Sequence, residues 1–140
     1  MGLLTRIGIF LLFVSGLMAA TPAYKSDIDA AKMRQMMQEG AVVIDIRTAP
    51  EWSQTGVIEG SKLITFFDER GGYNIGRFMM QLGAVVPSKE TPVIIICRTG
   101  SRSVPVADFL ARNGFTNVYN QKHGIMEWIT KKLPLVSPGH

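Results

Sequence analysis

The chain has a single cysteine among 140 residues. That count excludes an internal disulfide, an intramolecular dithiol relay and a thiolate-rich zinc or iron–sulfur site. Histidine is nearly as scarce: His123 and His140 have no partner at ligand spacing, so neither a metal nor any other cofactor is expected. No run of lysine and arginine occurs, and the basic residues are not interleaved with aromatics, so the sequence offers no footing for nucleic acid. Internal repeats and low-complexity tracts are missing too. The longest apolar stretch, from Ile7 to Met18, is shorter than the roughly 20 residues of a spanning helix.

That stretch has its own reading. Arg6 supplies a positive start, and Ala19-Ala20 or Thr21-Pro22-Ala23 offer small-residue cleavage sites. Residues 1–23 are therefore expected to be a signal peptide and 24–140 one folded domain, exported to the periplasm of a bacterium without stable membrane insertion. An uncleaved leader acting as an anchor is the alternative. Beyond the leader the chain keeps 14 basic and 11 acidic groups, a modest positive field that favours small anions. Apolar residues make up 46% and charged residues 19%, which is globular rather than disordered composition.

The segment that organises the chain is Pro92 to Ser103, P-V-I-I-I-C-R-T-G-S-R-S. Val93 to Ile96 form an apolar run suited to a strand buried on both faces. It delivers Cys97 to the strand's carboxyl end, followed by the small, polar or cationic residues Arg98, Thr99, Gly100, Ser101, Arg102 and Ser103. Val106, Phe109 and Leu110 then sit at helical spacing, with Pro105 tolerable in a first turn and Gly114 as a stop. Strand, tight loop and helix put a thiol at the bottom of a cradle of N–H groups and guanidinium charge. Such a cradle favours a thiolate, or an anion carried on its sulfur. A plain core cysteine is the alternative. Sulfur chemistry requires in addition a thiol that solvent can reach.

Elsewhere, Asp29 can cap a helix through Glu39, with Met33, Met36 and Met37 on its inner face. Asp45, Arg47 and Glu51 follow a buried strand and read as an ion-paired brace beside the site, with Arg47 clamped by Glu51 or Asp45. Residues 66–74 are either a loop at an active-site mouth or a plain connection. Phe78, Met79 and Leu82 are expected to face inward, as are Trp128 and Ile129. His123 is expected on the surface, and Leu133 to His140 as a frayed tail. Strands at 42–46, 62–65, 92–96 and 117–119 alternate with helices at 30–39, 75–82, 103–113 and 125–132. The alternation predicts an α/β fold with a mainly parallel sheet and helices on both faces. Ligands in such folds bind beyond the carboxyl ends of strands, where Cys97 lies.

Three segments in order, V-V-I-D-I-R-T-A-P-E-W at 42–52, C-R-T-G-S-R-S at 97–103 and G-F-T-N-V-Y-N…G-I-M-E-W at 114–128, resemble the rhodanese family of sulfurtransferases. The resemblance covers roughly Ser26 to Leu133. It implies a five-stranded rhodanese-like core with the cysteine at the base of a six-residue loop, and treats the aspartate, arginine and glutamate of the first segment as architectural. It further implies a thiosulfate-like donor, a persulfide on Cys97, and a thiol or protein acceptor. The loop residues 98–103 would bind the donor, with Arg102 stabilising charge and Arg98 on the rim. The family's usual G-H-I-P-G-A is departed from at 56–61, where Val57 replaces the histidine and Glu59 the proline. A phosphatase on this scaffold would, by analogy, have a loop one residue longer, with arginine at the sixth place after cysteine. Here the arginine stands at the fifth. Persulfide carriers and interaction modules also occur among such domains.

Overall fold

The structure, a computed structural model, describes residues 21–139. The leader expected at 1–23 lies almost wholly outside the described residues. Among those described, no helix is long and apolar enough to cross a membrane.

Five strands and five helices alternate: β1 (Ser26–Ile28), α1 (Ala30–Gln38), β2 (Val42–Asp45), α2 (Ala49–Thr55), β3 (Lys62–Leu63), α3 (Ile75–Gly83), β4 (Val93–Ile96), α4 (Ser103–Arg112), β5 (Val118–Gln121) and α5 (Gly124–Thr130). All neighbouring strands pair in parallel, in the order β1-β5-β4-β2-β3. Parallel strands need crossovers, and each interval between strands holds one helix. The α/β architecture with a parallel sheet stands as expected.

β4 lies at the centre, and all four of its residues are buried. Its side chains alternate between two cores, as the period of a strand demands. Val93, Ile95 and Cys97 face a cluster with Phe78 and Leu82 of α3 and Val106, Ala107 and Leu110 of α4. Ile94 and Ile96 face Ala30, Met33 and Met36 of α1 and Ile125 and Trp128 of α5. Both faces of the sheet are therefore covered. From β2 the chain moves out to β3, and from β4 it moves the other way to β5. The crevice beyond the carboxyl ends of β2 and β4 is thus a topological switch point.

Three local expectations change. Residues 49–55, where no helix was expected, form α2. The signal was present, since Thr48 and Glu51 stand at capping-box spacing and Pro50 sits in the first turn. Ile129 is exposed rather than inward, because α5 buries Gly124, Ile125 and Trp128 on its inner stripe. The described part of the tail is docked through Val136, not frayed, and His140 lies outside the described residues. Val57 and Val136 exchange both backbone hydrogen bonds at 2.8 Å, Trp128 Nε1 donates to Pro134 O, and Leu133 and Leu135 pack on the α1/α5 core.

The carboxyl end of β2 carries a buried ion pair. Arg47 is fully buried and Asp45 is 1% exposed, and they meet at 2.8 Å. Arg47 also donates to Thr55 Oγ1 and to Gly56 O, tying the end of β2 to the end of α2. Replacing Arg47 with methionine strands a buried carboxylate. We expect a loss of about 3–5 kcal/mol in urea unfolding, largely recovered when Asp45 is also made leucine.

Candidate active site

Cys97 follows β4 directly, on the α3/α4 side of the sheet. Among the described residues two groups reach its sulfur: Gly100 N donates to Sγ at 3.2 Å, and Ser103 Oγ lies 3.3 Å away. The cradle of amides expected from the sequence therefore narrows, at the sulfur itself, to one N–H and one hydroxyl. Arg98, Thr99 and Ser101 are exposed on the rim, whereas Gly100 and Ser103 are buried. Ser103 is the first residue of α4, so the loop ends as the helix begins.

Two glycines allow the loop to fold so tightly. Gly100 has φ +94°, a left-handed conformation, and a Cβ there would run into the carbonyl of Lys122. Gly124 has φ +64°, and a Cβ there would meet the carbonyls of Cys97 and Arg98. The cysteine loop thus lies directly on the turn between β5 and α5. Ile125 N donates to Cys97 O at 2.9 Å and Met126 N to Arg98 O at 3.1 Å, so that turn satisfies the backbone at the start of the loop.

This packing has a consequence the sequence did not announce. Cys97 is 0% exposed, so the accessible thiol expected above is not found. Gly100 and Ser103 of its loop contact the sulfur, and Cys97 packs in one apolar cluster with Val106, Ala107 and Leu110 of α4.

The charged groups also regroup. Glu51 does not clamp Arg47; its carboxylate accepts from Arg102 at 2.6 and 2.9 Å, and from Thr48 N and Thr48 Oγ1 at 3.0 Å each. The trio read as one brace is therefore two pairs, Asp45 with Arg47 and Glu51 with Arg102. The Arg102 hydrogen bonds, opposed by burial and helped by those from Thr48, hold Glu51 down at about 2. Arg102 in turn is raised, first by the Glu51 hydrogen bond, against burial, and then by the charges of Glu51, Cys97 and Asp45. A bidentate arginine is fixed in direction, and this one is turned toward Glu51.

The 66–74 segment stands at the mouth. Phe67 and Tyr73 bridge it into a hairpin, Phe66 stacks on Tyr73 at 5.6 Å, and Asp68 Oδ1 accepts from Arg70 N and Gly72 N. Phe67, Asp68, Glu69 and Gly71 line an open cleft of about 730 Å³ with Ser101, Arg102 and Pro105. A more enclosed cleft of about 540 Å³, lined by Trp52, Phe78 and Arg77, lies on the other side of the same hairpin. The sulfur lines neither. His123 is exposed at the start of α5, as expected.

Residues 29–131 match the Rhodanese-like domain. The chain belongs to the rhodanese-like family. It is 31% identical over 106 residues to the thiosulfate sulfurtransferase GlpE of Pseudoalteromonas translucida, covering 76% of this chain and 90% of that protein. A sulfurtransferase of Allochromatium vinosum is 26% identical over 115 residues, covering 81% and 96%. The crystal structure of Rv0390 from M. tuberculosis superposes with a TM-score of 0.69 at 26% identity, covering 82% of this chain and 99% of that one. A rhodanese-like domain of the sulfurtransferase family is therefore the frame for this site.

Two outcomes test the geometry. Gly100→Ala should cost on the order of 1–3 kcal/mol from backbone strain alone, with the Lys122 clash added, read by urea unfolding. Glu51 has a folded value depressed from 4.5 to about 2, so its contribution is complete above about 4.5 and lost as the pH falls toward 2. Glu51→Gln should therefore flatten the acid limb of stability in that window. Its carboxylate is partly exposed, so the change in slope stays modest.

Proposed function

We propose that the protein transfers sulfane sulfur from thiosulfate, or a similar anionic donor, to a thiophilic acceptor through a persulfide on Cys97. The observation that carries this reading is the placement of the chain's single thiol. It stands at the carboxyl end of the central strand, at the switch point, beneath a six-residue loop whose Gly100 N–H donates to its sulfur. Relatives named thiosulfate sulfurtransferase support the same reading.

In the first half, the Cys97 thiolate attacks the outer sulfur of the donor. A sulfur–sulfur bond forms to Cys97, and the donor's own sulfur–sulfur bond breaks with its electron pair leaving on sulfite. In the second half, a nucleophilic acceptor attacks the terminal sulfur of the persulfide, and the bonding pair returns to Cys97 as thiolate. No net oxidation of the protein occurs, and each half needs one substrate, which gives ping-pong kinetics. The Gly100 N–H, which donates to Sγ, stabilises the thiolate that attacks the donor and the thiolate released when the acceptor takes the sulfur. Arg98 on the rim draws in the anionic donor. Since Cys97 has no solvent exposure, the loop residues above it have to part before the donor arrives.

That burial also favours a second reading, a carrier that holds a shielded persulfide for a partner instead of turning over small molecules. Intact-mass measurement after thiosulfate treatment, then addition of cyanide or a thiol, decides between them. An adduct of about 32 Da (one sulfur atom) that discharges with steady turnover supports the enzyme. A stable adduct with negligible turnover supports the carrier, and no adduct leaves an interaction module. Cys97→Ser should lose both adduct and turnover; retention of either overturns the mechanism.

A further inference from the structure

Gln121 is fully buried at the end of β5, although glutamine has no reason of its own to be there. Both heavy atoms of its side-chain amide are engaged. Oε1 accepts from His123 N at 2.9 Å and from Gly124 N, and Nε2 donates to Glu127 Oε2 at 2.7 Å. Glu127 Oε2 accepts in addition from Ala30 N at 3.1 Å, and its other oxygen from Lys131 at 2.9 Å. One glutamine and one glutamate thereby join the end of β5, the first turn of α5 and the start of α1.

The next N–H groups of that turn are the ones spent on the cysteine loop. His123 N and Gly124 N go to Gln121, while Ile125 N and Met126 N go to Cys97 O and Arg98 O. Four consecutive backbone donors are thus divided between a buried side chain and the carbonyls of the loop. The turn that donates to Cys97 O and Arg98 O has its two preceding donors held by Gln121. Neither Gln121 nor Glu127 touches the sulfur, and both lie more than twenty residues beyond it in sequence.

We infer that Gln121 and Glu127 are positioning residues for the sulfur site: through α5 they fix the backbone of Cys97 and Arg98, and so keep the Gly100 N–H on Sγ. The inference rests on Cys97 being the reacting group of the proposed transfer, but its geometry is testable on the thiol alone. Leucine at either position removes the network without adding charge. In Gln121→Leu the N–H groups of His123 and Gly124 lose their acceptor; in Glu127→Leu, Gln121 loses the partner that orients it. Glu127→Gln keeps an acceptor oxygen for both Gln121 Nε2 and Ala30 N.

The test is alkylation of Cys97 by iodoacetamide in the folded protein, followed by intact mass across a range of pH. Gln121→Leu and Glu127→Leu should alkylate about fivefold faster or more at high pH, as the loop loosens, with the midpoint moved upward as Sγ loses its donor. Glu127→Gln should stay close to the unsubstituted protein. Met36→Ala, a core change on α1, serves as a control for lost stability and should leave the midpoint where it is. An unchanged midpoint in both leucine variants, or a shift equalled by Met36→Ala, overturns the inference. Because alkylation needs no sulfur donor, a protein that forms no thiosulfate adduct would refute the transfer while leaving this result to stand or fall by itself.

Discussion

Backbone and polar groups buried where the inner strands end are the constraint from which the rest of this structure follows. A strand's N–H and C=O groups are paired within the sheet, but just past its carboxyl end they must find other partners or remain unsatisfied at considerable cost. β2 ends on Asp45, whose carboxylate holds the buried Arg47. β5 ends on Gln121, which caps the turn into α5. β4 is followed directly by Cys97 and Arg98, whose carbonyls are answered by that same turn. The ends of β4 and β5 share one turn, while the end of β2 is tied to the end of α2, so the floor of the crevice is built from linked groups.

The arginines illustrate how that floor governs the electrostatics. Two of the guanidinium groups near the crevice, those of Arg47 and Arg102, are each bound by a carboxylate, one fully buried and one partly exposed, while Arg98 stands exposed on the rim. The charges of Arg47 and Arg102 are therefore largely compensated before any ligand arrives. Direct stabilisation of a negative sulfur falls to the Gly100 N–H, a short-range and orientation-dependent interaction, and the paired arginine beside it adds a weaker field. Such an arrangement suits a small soft anion at one atom better than a tetrahedral oxyanion, which needs several donors and an unengaged arginine.

Much of this was legible in the residues. The apolar run before Cys97, the polar loop after it and the helical spacing from Ser103 onward located the site, because burial on both faces leaves a continuous hydrophobic signature. The alternation of strands and helices located the sheet for the same reason. β1 escaped because three residues, two of them exposed, carry no periodicity. α2 escaped because its inner face is only half-buried, although its capping spacing was in view. The partner of Glu51 could not be read, since Arg102 lies 51 residues away and only the fold brings them together. Gln121 gave no signal at all: a polar residue just past the strand expected at 117–119 reads as surface until the turn it caps is seen.

The buried sulfur and the solitary cysteine bear on one another. With no second thiol in the chain, a persulfide cannot be resolved internally, so whatever removes the sulfur must come from outside. A permanently open thiol would meet every nucleophile and oxidant in its surroundings. A thiol covered by a loop that rests on α5 is instead reached only when that loop yields. On the proposed reaction, the stiffness of the Gly100 and Gly124 contacts would govern both how fast sulfur is loaded and how long it is kept. The difference between catalyst and carrier on that reaction lies in this stiffness, and the chemistry at Sγ is common to both.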